Sequence, residues 1–546
     1  MLTLSADGRL LDLPNDISIT LKFASPIFNT IGDYSYPFKL PATPRNIEIL
    51  GYKHRIESAS DPFAVFDAIM EWNGTIIVQG TLSILVAQSD VYEACLYMDK
   101  GDFFYRKKIM TLQDVDFGSM AWTGETLKIN YFNDCRNYVY PERNFCFPQI
   151  LNKSYYDTMP DDPFSQSFNY YYYGALNYFL EDVDRTILVP MLYFRYVLEL
   201  VFKKLDYQLD DSFFATDPEF NSLAIYNNVD ANCALAGLFN YDVKNVFMNY
   251  HTPRMGVNDF LIGIETFFNL RFFVNNITKT VKLVSVDKIV KSCQAIDFSS
   301  NVSSIYTQIG TPVNGFHLKM NMETDDQAWT QALEGQSLIL DAIKGSVNNI
   351  TDLPLWPASP NNEIRFVRSE GAYYIMSSRA WTAIFLNAST ATLHSEFIHS
   401  ESDKTVETKF STLMNVATTP YDCIIGSSQS AWATVGPKLF FVKLHEWNEV
   451  PPEDDRVFAS NFSASHSLFY SGENGLYLKH FKAFFDFQMA SKQVKIIKQM
   501  TLLELNQLDF SNKYAIDGNK YLLSEVQVTI TNQGFKPATI VAYTCL

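Results

Sequence analysis

Histidines and clustered carboxylates are where metal or acid–base chemistry would first show, and this chain of 546 residues holds eight histidines. His394 and His399, in HSEFIH, come nearest to a ligand pair. Their spacing misses the four-residue step that sets two imidazoles on one helix face, and in a strand they would point to opposite faces. The carboxylates of PPEDDR, Pro451 to Arg456, sit beside prolines and read as a solvated loop, without the context that calcium binding or acid–base work needs. Two carboxylates for glycoside cleavage need only meet in space, so among 60 Asp and Glu the spacing selects no pair. No G-x-S-x-G elbow, phosphate loop or G-x-G-x-x-G fingerprint is present. The expectation is a chain that is not an enzyme, with no catalytic, cofactor-binding or metal-ligating residues.

The cysteines are Cys95, Cys135, Cys146, Cys233, Cys293, Cys423 and Cys545. An odd, scattered set with no C-x-x-C pair argues against a disulfide scaffold and a structural zinc site, and reduced cytosolic assembly is the simpler reading. The opening MLTLSADGRL lacks a basic region followed by an apolar core, so no secretory leader is expected. No apolar run approaches ~18 residues, so no membrane span is expected. Lys and Arg total 43 against 60 Asp and Glu, a formal charge of −17. That argues against a nucleic-acid grip, which needs a basic footprint to displace phosphate counterions, yet it suits a surface past which DNA slides.

Aromatic residues make up 15%, a proportion that serves strand-rich cores and contact surfaces alike. Their oddest concentration is FNYYYYGALNYF, Phe168 to Phe179. Tyr170, Tyr171, Tyr172 and Tyr173 form a candidate contact patch. Ring faces of this kind stack on sugars, but the favoured reading sends alternate rings to a core and to a subunit neighbour.

These side chains must be held by a multidomain framework, since ~150 residues per domain gives three or four domains. Ile17, Ile19, Leu21 and Phe23 alternate with polar residues as in a half-buried strand. Asn73-Gly74 between DAIMEW and TIIVQG is a two-residue hairpin signal, and LSILVA and VYEACLYM continue the pattern. We read 1–115 as an N-terminal β-domain and 116–245 as an irregular insertion plus one amphipathic helix. That helix carries Phe194, Val197, Leu198, Val201, Phe202 and Leu205 after Pro190, which suits a first turn. Residues 246–310 read as a helix with Asn258 or Asp259 as cap candidate, followed by a hairpin around Asn275-Asn276. Residues 311–450 are mixed β of unplaced type. Residues 451–546 hold an aromatic helix (Leu476, Phe481, Phe484, Phe485, Met489) and closing strands with an Asp517-Gly518 turn. The fold class expected is α+β, mainly β, with tube-forming barrel- or sandwich-like β-domains decorated by a few amphipathic helices.

The segment YSYPFKLPATPRNIEIL, Tyr34 to Leu50, offers no catalytic residue, but Pro37, Pro41 and Pro44 punctuate it as an edge strand. With its upstream strand it resembles the N-terminal segment of the tail hub, or baseplate hub-like, proteins of phages and prophages of Bacteroides-type bacteria. Leu40, Pro41, Ala42, Thr43 and Asn46 match that family's turn, while Tyr36, Pro37 and Phe38 stand where it usually has a Ser-Lys pair. GTIIVQGTLSILVA resembles the family's next hairpin, and NDFLIGIETFFNLRFFVNNITKTVKLVSVD its helix-plus-hairpin unit. LNQLDFSNKYAIDGNKYLLSEVQVTI resembles its closing strands through Asp509, Phe510, Lys513, Gly518 and Tyr521.

The resemblance implies a structural virion protein without cofactors. Such hubs form a ring, usually threefold, whose two β-domains per chain imitate six tube subunits and leave a channel for DNA. It also implies partners: further copies of the chain (a trimer, or a hexamer) and other tail proteins, with no membrane insertion, in a virion tail assembled in the host cytoplasm. Pro37, Lys39, Leu40, Pro41, Arg45 and Asn46 become a candidate inter-subunit or structural motif, with Lys39 and Arg45 pairing with acidic neighbours. An internal edge strand of the same domain is the competing reading. For the whole chain, a receptor- or glycan-binding tail protein, a wall-degrading tail enzyme and the hub of a phage-derived contractile injection particle remain alternatives.

Overall fold

The computed structural model describes residues 1–29, 32–55, 65–106, 110–121, 134–135, 137–148, 150–151, 167–169, 171–172, 175–176, 188–229, 231, 245–307, 316–320, 346–347, 364–367, 372–377, 380–384, 394–397, 404–412, 437–444, 457–460, 462–468 and 474–545. The chain is mainly β with a few helices, the α+β class its patterning predicts. It divides into two units, one of Met1–Lys108, Arg271–Pro312 and Asp486–Leu546, the other of Ile109–Leu270 and Val313–Phe485. The segment boundaries at 115, 245, 310 and 450 follow changes in local pattern. The spatial grouping differs because strand pairing joins pieces that lie far apart in the chain.

The first unit opens with β1 (Leu2–Ala6), β2 (Arg9–Leu10), β3 (Ser18–Ala24), β4 (Asp33–Ser35) and β5 (Phe38–Pro41), then α1 (Pro44–Leu50). It continues with β6 (Val65–Trp72), β7 (Thr75–Ala87), β8 (Val91–Met98) and α2 (Asp99–Arg106). A hairpin of β9 (Leu270–Asn275) and β10 (Thr280–Ser285) leads into α3 (Val286–Lys291), β11 (Ile296–Asp297) and β12 (Val302–Thr307). The closing part holds β13 (Gln493–Lys498), α4 (Leu502–Asn506), β14 (Tyr514–Ile516), β15 (Asn519–Thr531), β16 (Gly534–Phe535) and β17 (Ala538–Cys545).

Fifteen of these strands form one sheet in the order β2-β1-β6-β7-β8-β4-β3-β15-β17-β13-β12, with β5 on β8, β14 and β16 on β15, and β11 on β14. The Asn73-Gly74 turn between β6 and β7 has φ of 52° and 77°, and Asp517-Gly518 between β14 and β15 has 49° and 83°. Both dipeptides accept the left-handed backbone that a two-residue hairpin demands. TIIVQG and LSILVA are one strand, β7, which bends at a bulge between Ile84 and Val86. The start and end of the chain meet where β3 pairs with β15, from Ser18 opposite Thr531 to Ala24 opposite Glu525. Ile19 and Leu21 on one strand and Val526, Val528 and Ile530 on the other enter the same, largely aliphatic, core.

The second unit is aromatic where the first is aliphatic. Its helix Phe194–Lys204 buries Phe194, Val197, Leu198, Val201 and Phe202, the stripe expected from the sequence. Pro190 does not lie in the first turn. Met191–Leu192 pairs as a short strand with Phe145–Cys146, so the helix starts only after Tyr193. The helix Val257–Phe268 is capped by Gly256, in place of Asn258 or Asp259, because Gly256 is held extended (φ −67°, ψ 145°) in a bridge to Thr111. Asp259 falls in the first turn and pairs with Lys409. The aromatic helix begins as a π-turn, Tyr477–Phe481, before the α-helix Lys482–Ala490. Rings of Phe194, Phe213, Phe220, Phe260, Phe267, Phe268 and Phe410 meet largely edge to face, the arrangement their quadrupoles favour. Among the described residues no helix is long and apolar enough to cross a membrane.

Candidate functional site

The proline-punctuated motif folds into a helix-capping knot. Thr43 is the N-cap of α1, and its Oγ1 accepts from the Asn46 N–H at 3.2 Å while donating to Asp12 Oδ2 at 2.6 Å. Pro44 occupies the first turn, where its missing N–H costs nothing, and Gly51 closes the helix at φ 79°. Asn46 is fully buried. Its Nδ2 donates to the carbonyls of Asp12 and Pro41, both at 2.9 Å, and its Oδ1 accepts from the Asp12 N–H at 2.8 Å. One amide thus ties the loop after β2, the end of β5 and α1 together.

The other motif residues surround that knot. Phe38 and Leu40 point into the core, and β5 pairs with β8 of the same chain, Leu40 opposite Tyr92. Pro37 and Lys39 are exposed, with Lys39 opposite Glu93 in the register. Arg45 lies 3.8 Å from Asp12 Oδ1, both side chains half exposed. Tyr171 and Tyr172 form a short strand paired with Ala175–Leu176, whereas Tyr170 and Tyr173 lie outside the described residues. His394 opens the strand His394–Phe397, and His399 and the PPEDDR carboxylates fall outside the described residues.

Sequence reading missed a buried polar cluster under the tip of the β9–β10 hairpin. Asn276, read as a turn residue, is buried. Its N–H donates to Asp99 Oδ1 at 2.8 Å, and its Nδ2 donates to Asp102 Oδ2 at 2.8 Å and to the Gln79 carbonyl at 3.0 Å. Asp102 also accepts from Thr81, and Asp33 accepts from the Ala24 N–H at 2.6 Å. Burial pushes the Asp99 carboxyl up to about 6, against the Asn276 N–H and Lys279 and with help from Asp102. Burial, with Asp99 beside it, pushes Asp33 well above the usual carboxylate range. The only sequence signal is the tandem Asn275-Asn276, because the partners lie some 175 residues upstream.

In the second unit, buried His466 holds Asp217 at 3.0 Å through Nε2, while Glu219 gathers the hydroxyls of Ser463 and Ser465. Glu219 and its serines clip a loop. Among the described residues no group of three or more His, Cys, Asp or Glu could hold a metal ion. Cys95, Cys135, Cys146, Cys293 and Cys545 are free thiols, and burial pushes those of Cys95, Cys135 and Cys146 up, away from the reactive thiolate form.

Charge is divided unevenly. The sheet unit holds 20 Asp and Glu against 21 Lys and Arg, a formal +1, and the second unit 40 against 22, a formal −18.

No protein-family profile and no curated protein matches the chain. Among solved structures it is similar to the 43 kDa tail protein of prophage MuSo2 from Shewanella oneidensis, at 7% identity and a TM-score of 0.32, covering 99% of this chain and 97% of that one. It is also similar to the tail protein from Neisseria meningitidis MC58, at 9% identity and a TM-score of 0.29, covering 100% and 95%. Superposition at that level does not establish a shared fold.

Proposed function

We propose that the protein is a structural component of a phage tail: a hub or tail-tip ring that surrounds the DNA channel and joins the tail tube to the distal tip without catalysis. The observation that carries this reading is the pairing of β3 with β15 over seven residue pairs. The first and last stretches that resemble hub proteins are thereby neighbours in one sheet, and GTIIVQGTLSILVA lies in that same sheet as β7. The chain's two ends build a β framework into which the second unit is inserted, an arrangement suited to a rigid ring wall. Its partners would be further copies of itself, as a trimer or hexamer, and the tail proteins above and below, in a virion assembled in the host cytoplasm. The hub of a phage-derived injection particle would use the same construction.

The charge division supports passage of DNA without retention. A formal +1 in the sheet unit is no large excess of cations for counterion release, and the −18 of the second unit repels duplex. The solution mass of the purified chain, with negative-stain class averages of the same sample, tests the reading. A trimer or hexamer averaging to a ring with an open centre is expected. A chain that stays monomeric when mixed with its neighbouring tail proteins overturns it.

A further inference from the structure

We propose that the cavity between the β4–α2 contact and the β9–β10 hairpin is a binding site for a guanidinium group, received by the carboxyls of Asp33 and Asp99. The inference stands apart from the hub reading, since nothing in it requires a ring.

Backbone packing sets the two carboxyls side by side. Asp33 is opposite Met98 in the register of β4 and β8, one residue short of Asp99. Gly32 and Gly101 let the two segments approach so closely that a Cβ on Gly32 would stand 2.4 Å from the Gly101 nitrogen. Both aspartates line a cavity of about 340 Å³, within the ~300–1,000 Å³ range of small-molecule sites. Asp33, Ile77 and Leu505 are buried along it, whereas Asn275, Ile277 and Gln507 are exposed and mark the way in.

What the recess offers is acceptors. Asp33 is only 8% exposed, and its Oδ1 accepts from the Ala24 N–H at 2.6 Å. Asp99 Oδ1 accepts from the Asn276 N–H at 2.8 Å. Among the described residues the Oδ2 atoms of both have no hydrogen-bond partner. Asp102 differs, because Thr81 takes one of its oxygens and Asn276 the other, and it does not line the cavity. Asp509 does line it, but its oxygens are held by Ser511 and Asn512. Lys100 and Lys279 act on the Asp33–Asp99 pair without bonding to it, and Lys282 Nζ lies 3.4 Å from Ser511 Oγ. A buried acceptor left without a donor is costly, so the recess favours a ligand that brings both donors and positive charge.

The rest of the lining selects the class of cation. Among the described residues no group of three or more His, Cys, Asp or Glu could hold a metal ion, so a bare divalent ion is a poor fit. Phe23, Phe273 and Phe510 give the recess an aromatic wall. A planar, weakly hydrated guanidinium packs on such a wall better than a compact ammonium does. Its fork of N–H donors can also serve two carboxyls at once. The group would come from an arginine side chain of another protein or from a free guanidinium compound.

Calorimetric titration of the whole chain with ethylguanidinium tests the site, with N-ethylurea as the neutral isostere and propylammonium as the compact cation. Saturable binding at about 1 mM or tighter is expected, about tenfold or more tighter than either comparator. Asp33→Asn and Asp99→Asn keep the side-chain shape, and each should weaken binding about tenfold. Glu48→Gln, on the exposed side of α1, should leave it unchanged. In the wild-type chain the bound probe should raise hydrogen-exchange protection in residues 273–282 and 505–510 but not in β6, a readout that survives a variant failing to fold. N-acetyl-arginine amide binding as well as ethylguanidinium assigns an arginine side chain as the occupant. Its exclusion, with ethylguanidinium still bound, assigns a free guanidinium compound. Absent or non-saturable binding overturns the proposal. So does equal binding of N-ethylurea or propylammonium, or a loss in the two aspartate variants no larger than in Glu48→Gln.

Discussion

Asn46 and Asp12 are locked backbone to amide: Asn46 Oδ1 accepts from the Asp12 N–H at 2.8 Å, and Asn46 Nδ2 donates to the Asp12 carbonyl at 2.9 Å. Asn46→Ala would strand that N–H and the carbonyls of Asp12 and Pro41. It should cost about 3 kcal/mol, read as a shift in the urea midpoint. Arg45→Ala should stay within about 0.5 kcal/mol, because its pair with Asp12 is long and half exposed. The contrast separates a structural motif from an assembly motif. If Arg45→Ala leaves stability intact but reduces oligomer mass, the exposed side of the motif serves a subunit contact.

Lys498 is completely buried, and its ammonium reaches the carbonyls of Phe298 and Ser300 and, at 2.9 Å, Glu504 Oε1. Removing one partner of a buried pair is costly, so Lys498→Ala should lose about 3 kcal/mol in chemical denaturation. Lys498→Met should lose less, because it refills the volume against the Phe298 ring. Burial raises Glu504, but Thr501 and Lys498 outweigh it and hold the carboxyl below its ordinary 4.5. Its contribution is present above 4.5 and lost as pH falls through the lowered value. Wild-type stability should therefore drop more steeply than that of Lys498→Met when both are titrated downward from pH 5.

The strands, their faces and their turns were legible in the sequence, but the sheet they build was not. Alternation at Ile17, Ile19 and Leu21 states which side of β3 is buried. It does not name β15 as the neighbour, since period 2 fixes the face and leaves the partner open. The capping function of Thr43 lay within reach, because Thr43-Pro44 followed by an apolar run is a helix start. The sequence instead read as an edge strand through its prolines, and β5 takes up only Phe38–Pro41 of it. Asn276 was unreadable for another reason. A turn asparagine and a buried asparagine look alike until Gln79, Asp99 and Asp102 are brought to it by packing.

Duplex DNA should pass the chain without adhering. Linear DNA should keep its gel mobility with the protein in excess at about 50 mM salt, where surface electrostatics are strongest. A retarded band that vanishes at higher salt would show a basic footprint that the near-neutral balance of the sheet unit conceals.

Gly263 lies within the helix Val257–Phe268, where alanine is ordinarily better by about 1 kcal/mol. Here a Cβ would stand 2.4 Å from Phe410 Cε2. That ring has little room to retreat, because it packs edge to face on Phe260 at 5.6 Å and Phe267 at 6.4 Å between centroids. Overpacking of this kind costs about 1–3 kcal/mol, so the clash should win and Gly263→Ala should lower the thermal midpoint. Adding Phe410→Leu should recover part of the loss, since the smaller side chain vacates the volume that the new methyl needs. A double-mutant cycle reads the coupling directly. Additive losses from the two substitutions would show that Phe410 can move aside, and that Gly263 is required for some other reason.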